Sequence, residues 1–581
     1  MRPSPYERHR GLIQSVARAL AAGGRCRPFT EATGQDAADA GMRSTRTAGK
    51  VFDSLLGKPF DLGLPGEAGR VRTESSPYGG DLGISYPRCD PSELVAAAGR
   101  AAAGWRAAGP YQRAGLAVEI LRRLNTRSHE LALAVHHTTG QPLSAALRAA
   151  GPRAQDRALE AVVQAFTESE HVPADLRWES AQGHGRPLAM QGTCTLVPRG
   201  VSLLIGCPDF PLWNGYPGLF ASLVTGNPVI VAPHPRAVLP LAITVRVARQ
   251  VLAEAGHVPD VVTLAVAEPE RQVHRRLATD PEVRIVDFTG SARFADWLER
   301  HARQAAVFAD RSGLNTVIVD STEDYQGLVR GLALSLCLCN GTVRTTPQNI
   351  LVPERGFATD EGHKTIRDLG ANLGDAVDRL LGHPARVARV VGAITSDEVR
   401  GALAQAARHG PVLHASAPVP HPHHPGADVR SPLLVRLRAS DESVYTREWP
   451  GPVSFLVGTD SISHSLALFR RTVARHGALH ASVHSTDPLV LAAAETAALD
   501  AGAHLTVNLA DLPADPSSVL ADPPGTAAHF VTGRFRVVRS RRQAPRAAPQ
   551  PTQAAEPLLV APEAASVAVA DSGLGARLVD V

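Results

Sequence analysis

At 581 residues the chain is too long for one hydrophobic core, so the sequence predicts two or three domains. Its 44% apolar composition predicts a packed protein, and its 60 basic and 56 acidic residues are interspersed and sum to only +4. That balance excludes the concentrated charge that binds nucleic acid. The six cysteines, Cys26, Cys89, Cys194, Cys207, Cys337 and Cys339, fall at no metal-ligand or disulfide-framework spacing, which predicts reduced thiols, a cytoplasmic location and no metal. The opening MRPSPYERHR lacks the apolar core of a signal peptide, and no apolar run is long enough to cross a bilayer.

Residues 1–90 mix helical periodicity with Gly and Pro punctuation and predict a helical extension on a larger body. From Pro91 to Phe166 the pattern is helical, with Ser92-Glu93 as a start signal and apolar residues at three- and four-residue spacing in Leu116 to Leu124. Residues 175–198 read as strands, with Ser180 to Arg186 as a polar loop. A regular alternation follows. Strands are predicted at Val201 to Ile205, Pro228 to Val231, Val261 to Leu264 and Val283 to Asp287, with helices at Leu219 to Val224 and Leu239 to Ala255. Such alternation predicts a parallel sheet with crossover helices, which binds ligands at the carboxyl ends of its strands.

A second alternating block runs from Asn315 to Leu509, with strands at Thr316 to Val319, Ile350 to Val352 and Val453 to Val457, and helices at Ser465 to Ala474 and Pro488 to Ala498. Within it an apolar, helix-like run beginning at Leu332 and containing Cys337 and Cys339 breaks at Asn340-Gly341. It delivers the polar turn GTVRTTPQN before the strand begins. Phe530 to Val538 alternates as an edge strand would, and the Ala/Pro-rich chain from residue 543 predicts a disordered tail.

Five segments carry polar or glycine-rich chemistry: Gly206 to Pro211 with Gly226 to Pro233; Phe288-Thr-Gly-Ser291; Asp310 with Gly313 and Asn315; Gly341 to Ile350; and Glu448 to Val453. In this order and spacing they resemble the aldehyde dehydrogenase superfamily, and NGYPGLFASLVTGNPVIV, LPLAITVRVARQVLAEAG, DFTGS, VIVDSTEDY, TTPQN, TDEGHK and RFRVV resemble its phenylacetate-degradation, PaaN-type branch. The resemblance spans Tyr6 to Arg542. It implies an α/β fold of the aldehyde dehydrogenase kind: a Rossmann-type parallel-sheet cofactor domain (91–314, with arm strands 175–198), an α/β catalytic-type domain (315–510), and a C-terminal loop and edge strand (511–542). The arm implies a homo-oligomer.

The family's chemistry uses a cysteine thiolate to attack an aldehyde, a nicotinamide nucleotide to take the hydride, and a carboxylate base to activate water. The resemblance implies NAD or NADP, with Thr289, Gly290 and Ser291 at the cofactor turn and Glu448 at the ribose. The remaining positions depart from the family. Arg344 stands at the nucleophile's place, and a guanidinium is not a nucleophile. Asp310, thirty-four residues upstream, stands at the general base's place, where the shorter side chain withdraws the oxygen by roughly 1 Å. Ala232 replaces a cofactor-contacting Lys, Ala295 replaces a Gly in the following helix, and Asp209 replaces the oxyanion-binding Asn. The segment from Asn508 to Gly525 reads as shortened where the branch has a long Gly-rich loop.

Three functions follow as expectations. One is NAD(P)-dependent oxidation of an aldehyde from aromatic-acid catabolism, impaired here. The second is a catalytically silent relative that keeps the fold and nucleotide binding as an interaction or regulatory subunit, and the third is a promiscuous binder of aryl or acyl metabolites in the same cleft. Cys337, Cys339 and Cys207 are expected to pack in the interior, and Asp310 is a candidate ion-pair partner for Arg344. His136, His137, His421, His423 and His424 are expected to be solvated.

Overall fold

The computed structural model describes residues 3–24, 26–29, 45–172, 174–180, 188–267, 272–343, 345–509, 531 and 533–543. Arg344, the Ser180 to Arg186 loop beyond Ser180, most of the 508–525 segment and the tail from 544 therefore lie outside the described residues. By contact density one unit holds Met1–Ala174 and Cys194–Arg539, and a second holds Asp175–Thr193 and Ser540–Val581.

The first large sheet has five parallel strands: β1 (Val201–Ile205), β2 (Val229–Ala232), β3 (Val262–Leu264), β4 (Val283–Gly290) and β5 (Ala306–Arg311). Their order is β3-β2-β1-β4-β5. β1 and β2 are buried at every residue, as expected of parallel strands covered on both faces. Chain order reverses between β1 and β4, so the connections leave the sheet in opposite directions there and open a crevice at the carboxyl ends. Helix α1 (Pro211–Val224) follows β1, α2 (Leu239–Glu254) follows β2, and α3 (Ala292–His301) follows β4.

The second sheet has seven strands: β6 (Thr316–Val319), β7 (Asn349–Pro353), β8 (Val412–His414), β9 (Leu433–Arg438), β10 (Val453–Thr459), β11 (His480–His484) and β12 (His504–Val507). They run in the order β8-β9-β10-β7-β6-β11-β12, parallel except for β8. Helix α4 (Tyr325–Cys337) precedes β7.

Residues 1–90 are not only helical. After the helix Pro5–Ala21, capped by Ser4 and Glu7, Glu67–Val71 pairs antiparallel with Tyr86–Cys89. The alternation here is too short to distinguish from helix by period alone. In the second unit Asp175–Ser180 pairs antiparallel with Leu188–Thr193. Among the described residues no helix is long and apolar enough to cross a membrane.

Two long-range polar contacts hold the first sheet. Val238, at the start of α2, has no side-chain cap of its own. The Glu74 carboxylate instead accepts from the backbone N–H groups of Val238 and Leu239, the latter at 2.9 Å, and from the Tyr86 hydroxyl. This satisfies orphan donors at a helix start from 164 residues away. Burial raises the Glu74 carboxyl to about 7, against the opposing pull of its hydrogen bonds.

The second contact is a buried ion pair. Arg534, fully buried, donates to both oxygens of Asp287 on β4 and to the Ser222 hydroxyl at 2.6 Å. Its guanidinium also lies 4.5 Å over the Phe308 ring. A Cβ at Gly218 would stand 2.7 Å from the Asp287 carboxyl carbon, so α1 can pass the pair only with glycine there.

Two outcomes follow. Arg534→Met leaves Asp287 buried and unpaired and is expected to cost about 3–5 kcal/mol in a denaturant melt, while adding Asp287→Leu should restore most of it. Glu74 has a folded pKa above its unfolded value near 4.5. Its protonation therefore contributes stability that is full below about pH 4.5 and is lost as pH rises through about 7. Melting temperatures of wild type and Glu74→Gln between pH 5 and 8 should diverge in favour of the Gln variant as pH rises.

Candidate active site

The segments singled out by sequence meet where the carboxyl edge of the first sheet faces the amino edge of the second. Gly206, Ser291 and Ser312 follow the ends of β1, β4 and β5, whereas Asn315, Gln348 and Pro452 precede β6, β7 and β10. Loops of this kind cannot pair their own backbone groups, so side-chain amides do it.

Asn315 is one such hub. Its carbonyl accepts from the backbone N–H of Gln348 and Asn349 at 3.0 and 3.2 Å, and its Nδ2 donates to the Thr346 carbonyl at 3.1 Å. Its Oδ1 accepts from the N–H groups of Leu479 and His480, both at 3.1 Å. Gln348 is the other. Its Nε2 donates to the carbonyls of Arg447 at 2.9 Å and Tyr445 at 3.2 Å, and its Oε1 accepts from the Trp449 N–H at 2.9 Å. Asn349 Nδ2 adds a bond to the Tyr445 carbonyl at 3.0 Å. The TTPQN motif thus clamps the Glu448 turn.

Glu448 is held in turn. Ser312 Oγ donates to its Oε2 at 2.7 Å, and the Ser312 N–H donates to the Gly290 carbonyl at 2.9 Å. Gly290, Ser312 and Glu448 are therefore linked directly. Thr289 on β4 stands opposite Asp310 on β5 in parallel register, and Ser291 caps α3 by accepting from the Phe294 N–H. Ala295 is fully buried in α3. Ala232 ends β2, beyond β1 from this cluster, with its carbonyl accepting from Gly206 N–H at 2.9 Å. Near it, burial lowers His234 to about 3 and also lowers His274, so neither imidazole supplies a cation there.

The loop bearing position 344 starts earlier than its sequence predicts. Helix α4 ends at Cys337, and Cys339 (φ 50°), Asn340 (φ 57°) and Gly341 (φ 68°) are three successive left-handed residues. Cys339 therefore lies in a turn, not in the helix. A Cβ at Gly341 would stand 2.7 Å from Pro452 Cα, so this end of the loop packs directly on the Glu448 turn. Arg344 is bracketed by these two anchored ends but is itself outside the described residues, as is any pairing with Asp310.

Asp209 is brought to the same place. Burial first, and the Asp209 charge second, push the Cys339 thiol up to about 12. Cys337 and Cys207 are buried as well, and burial raises the Cys337 thiol far above its ordinary range. The Gln141 side-chain amide donates to the Asp209 carbonyl.

The histidines are not solvated as a group. His136 and His421 are buried, and Tyr78 stacks on His136 with ring centroids 4.0 Å apart and has His424 at 4.6 Å and His421 at 5.6 Å. Neutral imidazoles pack like other flat rings, and burial lowers His136 to about 3 and His421 to about 4. Only His423 keeps an exposed position. Tyr78 donates to the Gly140 carbonyl at 2.7 Å, next to Gln141, which ties this cluster to Asp209. Among the described residues no group of three or more His, Cys, Asp or Glu is placed to hold a metal ion.

Comparison with known proteins agrees with this architecture. The aldehyde dehydrogenase family profile matches residues 70–510. The chain is similar to the crystal structure of an NAD-dependent aldehyde dehydrogenase from Burkholderia multivorans, with 43% identity and TM-score 0.88 over 94% of this chain and 100% of the other. A 1-pyrroline-5-carboxylate dehydrogenase from Thermus with bound NAD shares the fold at 16% identity and TM-score 0.69, over 90% of this chain and 99% of that one. N-succinylglutamate 5-semialdehyde dehydrogenase from Burkholderia lata is 28% identical over 282 residues, 47% of this chain and 53% of its own length. The chain thus spans about half the length of the curated relatives it matches. On the profile match and the 43% identity across nearly the whole chain, it belongs to the aldehyde dehydrogenase family.

Proposed function

We propose that the chain binds NAD or NADP and a small aldehyde in this cleft, and that its oxidation of the aldehyde is slowed by the loss of the family's thiolate. The observation that carries the proposal is a contrast. The framework of Asn315, Gln348, Ser312 and Glu448 is tied together by hydrogen bonds, while Cys339, the described thiol in the loop, is buried and held far from its thiolate form.

The first sheet's carboxyl edge fits a dinucleotide. Gly290 and Ser291 lead into the amino end of α3, where backbone N–H groups favour a pyrophosphate. On α3, half-exposed Phe294 and Trp297 stack, and Arg275 lies 4.8 Å over Trp297, forming a flat surface suited to a purine. Glu448, fixed by Ser312, is the ribose-binding candidate. Ala232 contributes no cation. When bound, the nucleotide supplies the hydride acceptor. The NAD-dependent relative from Burkholderia multivorans supports the same cofactor class here.

Asp310 is the candidate base. Asp209, an anion beside the loop, opposes rather than supports a developing oxyanion. Arg344 is a fixed cation at the nucleophile's position. Asp209 and Arg344 favour the second reading, a nucleotide-binding relative without covalent turnover that acts as a regulatory subunit. The PaaN-type motifs favour an aldehyde from aromatic-acid catabolism, whereas the Burkholderia lata relative is named for an acidic aliphatic semialdehyde. The antiparallel pair of Asp175–Ser180 and Leu188–Thr193 is the candidate subunit contact, and the six free cysteines suit a cytoplasmic protein.

Nucleotide reduction with aromatic and acidic aliphatic aldehydes should be at least ~10³-fold slower in the native chain than in Arg344→Cys/Asp310→Glu. Equal rates in the two would sink the impaired-turnover reading. NAD or NADP should raise the melting temperature of the native chain, by about 2.7 kcal/mol of added stability at 100 times the Kd, and Glu448→Gln should shrink that rise. No rise with either nucleotide would remove the cofactor from the proposal.

A further inference from the structure

We propose that the Asn340 side-chain amide binds the polar head of a small carbonyl-derived ligand, one that offers an oxygen acceptor next to an O–H or N–H donor. The hydrate of an aldehyde and a primary carboxamide both have this chemistry. The inference rests on the reading that a small aldehyde enters this cleft.

Asn340 is 2% exposed, yet neither its Oδ1 nor its Nδ2 has a hydrogen-bond partner. Both ends of a buried amide left unpaired is a standing cost, and native proteins pair such groups almost without exception. The cost is local to this loop. Half of the ten unpaired buried side-chain atoms among the described residues lie between Asn340 and Asn349: both atoms of Asn340, Thr345 Oγ1, Thr346 Oγ1 and Asn349 Oδ1. A further one, Gln141 Oε1, belongs to the side chain that donates to the Asp209 carbonyl.

The backbone adds a second cost at the same residue. Cys339, Asn340 and Gly341 are successively left-handed, a conformation that disfavours any side chain and that asparagine tolerates better than most. Strain of this kind concentrates at ligand-binding sites. The turn is closed by the Thr342 N–H and Oγ, which both donate to the Cys339 carbonyl, at 3.2 and 2.6 Å. It therefore holds Asn340 between the thiol that senses Asp209 and the glycine that packs on Pro452.

The chemistry is complementary to the departure at Asp209. A carboxylate there accepts hydrogen bonds but donates none, so a ligand oxygen needs its donor from elsewhere. Asn340 Nδ2 is that donor, and Oδ1 takes the adjacent O–H or N–H of the same ligand. An aldehyde hydrate or a carboxamide satisfies both ends at once, whereas a carboxylate satisfies one.

Benzamide, which does not react, is the probe. It should raise the melting temperature of the full-length native chain and bind measurably by calorimetry, with benzoate at least tenfold weaker. Asn340→Gly keeps the left-handed turn without strain and deletes the amide. It should therefore raise the ligand-free melting temperature, weaken benzamide at least tenfold and leave the NAD shift unchanged. Asn340→Asp keeps the shape and removes the donor, and should also weaken benzamide tenfold. A lower ligand-free melting temperature for Asn340→Gly, or benzamide affinity within twofold of native in either variant, overturns the inference. If the native chain binds NAD but not benzamide, the inference alone falls; if it binds neither, the proposed function falls with it.

Discussion

One primary amide, that of Gln348, fixes the geometry on which the candidate site depends. Its three hydrogen bonds reach Tyr445, Arg447 and Trp449, so the strand β7 that it precedes and the turn carrying Glu448 cannot shift independently. Asn315 does the same between β6, the loop before β7 and the start of β11. A neutral amide suits this task because it carries a donor and an acceptor and needs no counter-charge when buried. The outcome is that the loop bearing position 344 is anchored at both ends whatever residue occupies it.

The same division of labour recurs in the first sheet, on a longer scale. Helix α2 lacks a local cap and takes one from Glu74, and β4 buries a carboxylate that is answered by Arg534. Polar groups that the central α/β layer cannot satisfy for itself are thus completed by the chain's flanking segments. Charge burial of this kind is tolerable only with full pairing, which Asp287 has from a two-pronged guanidinium that also reaches Ser222.

Much of this could be read from the chain because parallel strands leave a continuous apolar signature. Thr316–Val319 and Val201–Ile205 have the bounds their composition predicts, and α2 runs within a residue of its amphipathic pattern. The order of the glycine and carboxylate segments pointed to the candidate site, since spacing along alternating α/β elements fixes which loops share an edge. Other features were not legible. Leu433–Arg438 alternates Arg with Leu and Val, and His480–His484 carries polar residues, so neither presents an apolar run. The early end of α4 depends on left-handed Cys339, for which no residue preference exists. The histidines read as polar because nothing local reveals that Tyr78 lies between segments more than 280 residues apart in sequence, at His136 and His421.

The Asp287–Arg534 pair also sets a schedule. The two partners are 247 residues apart, and at about 5–20 residues per second their syntheses are separated by roughly 10–50 s. During that interval β4 exists without the cation that pairs with Asp287, while β1, β2 and α1 are already available to pack around it. The buried ion pair of the first sheet can therefore form only once the far end of the chain has emerged. The part of the protein that resembles a nucleotide-binding domain is made early and finished late.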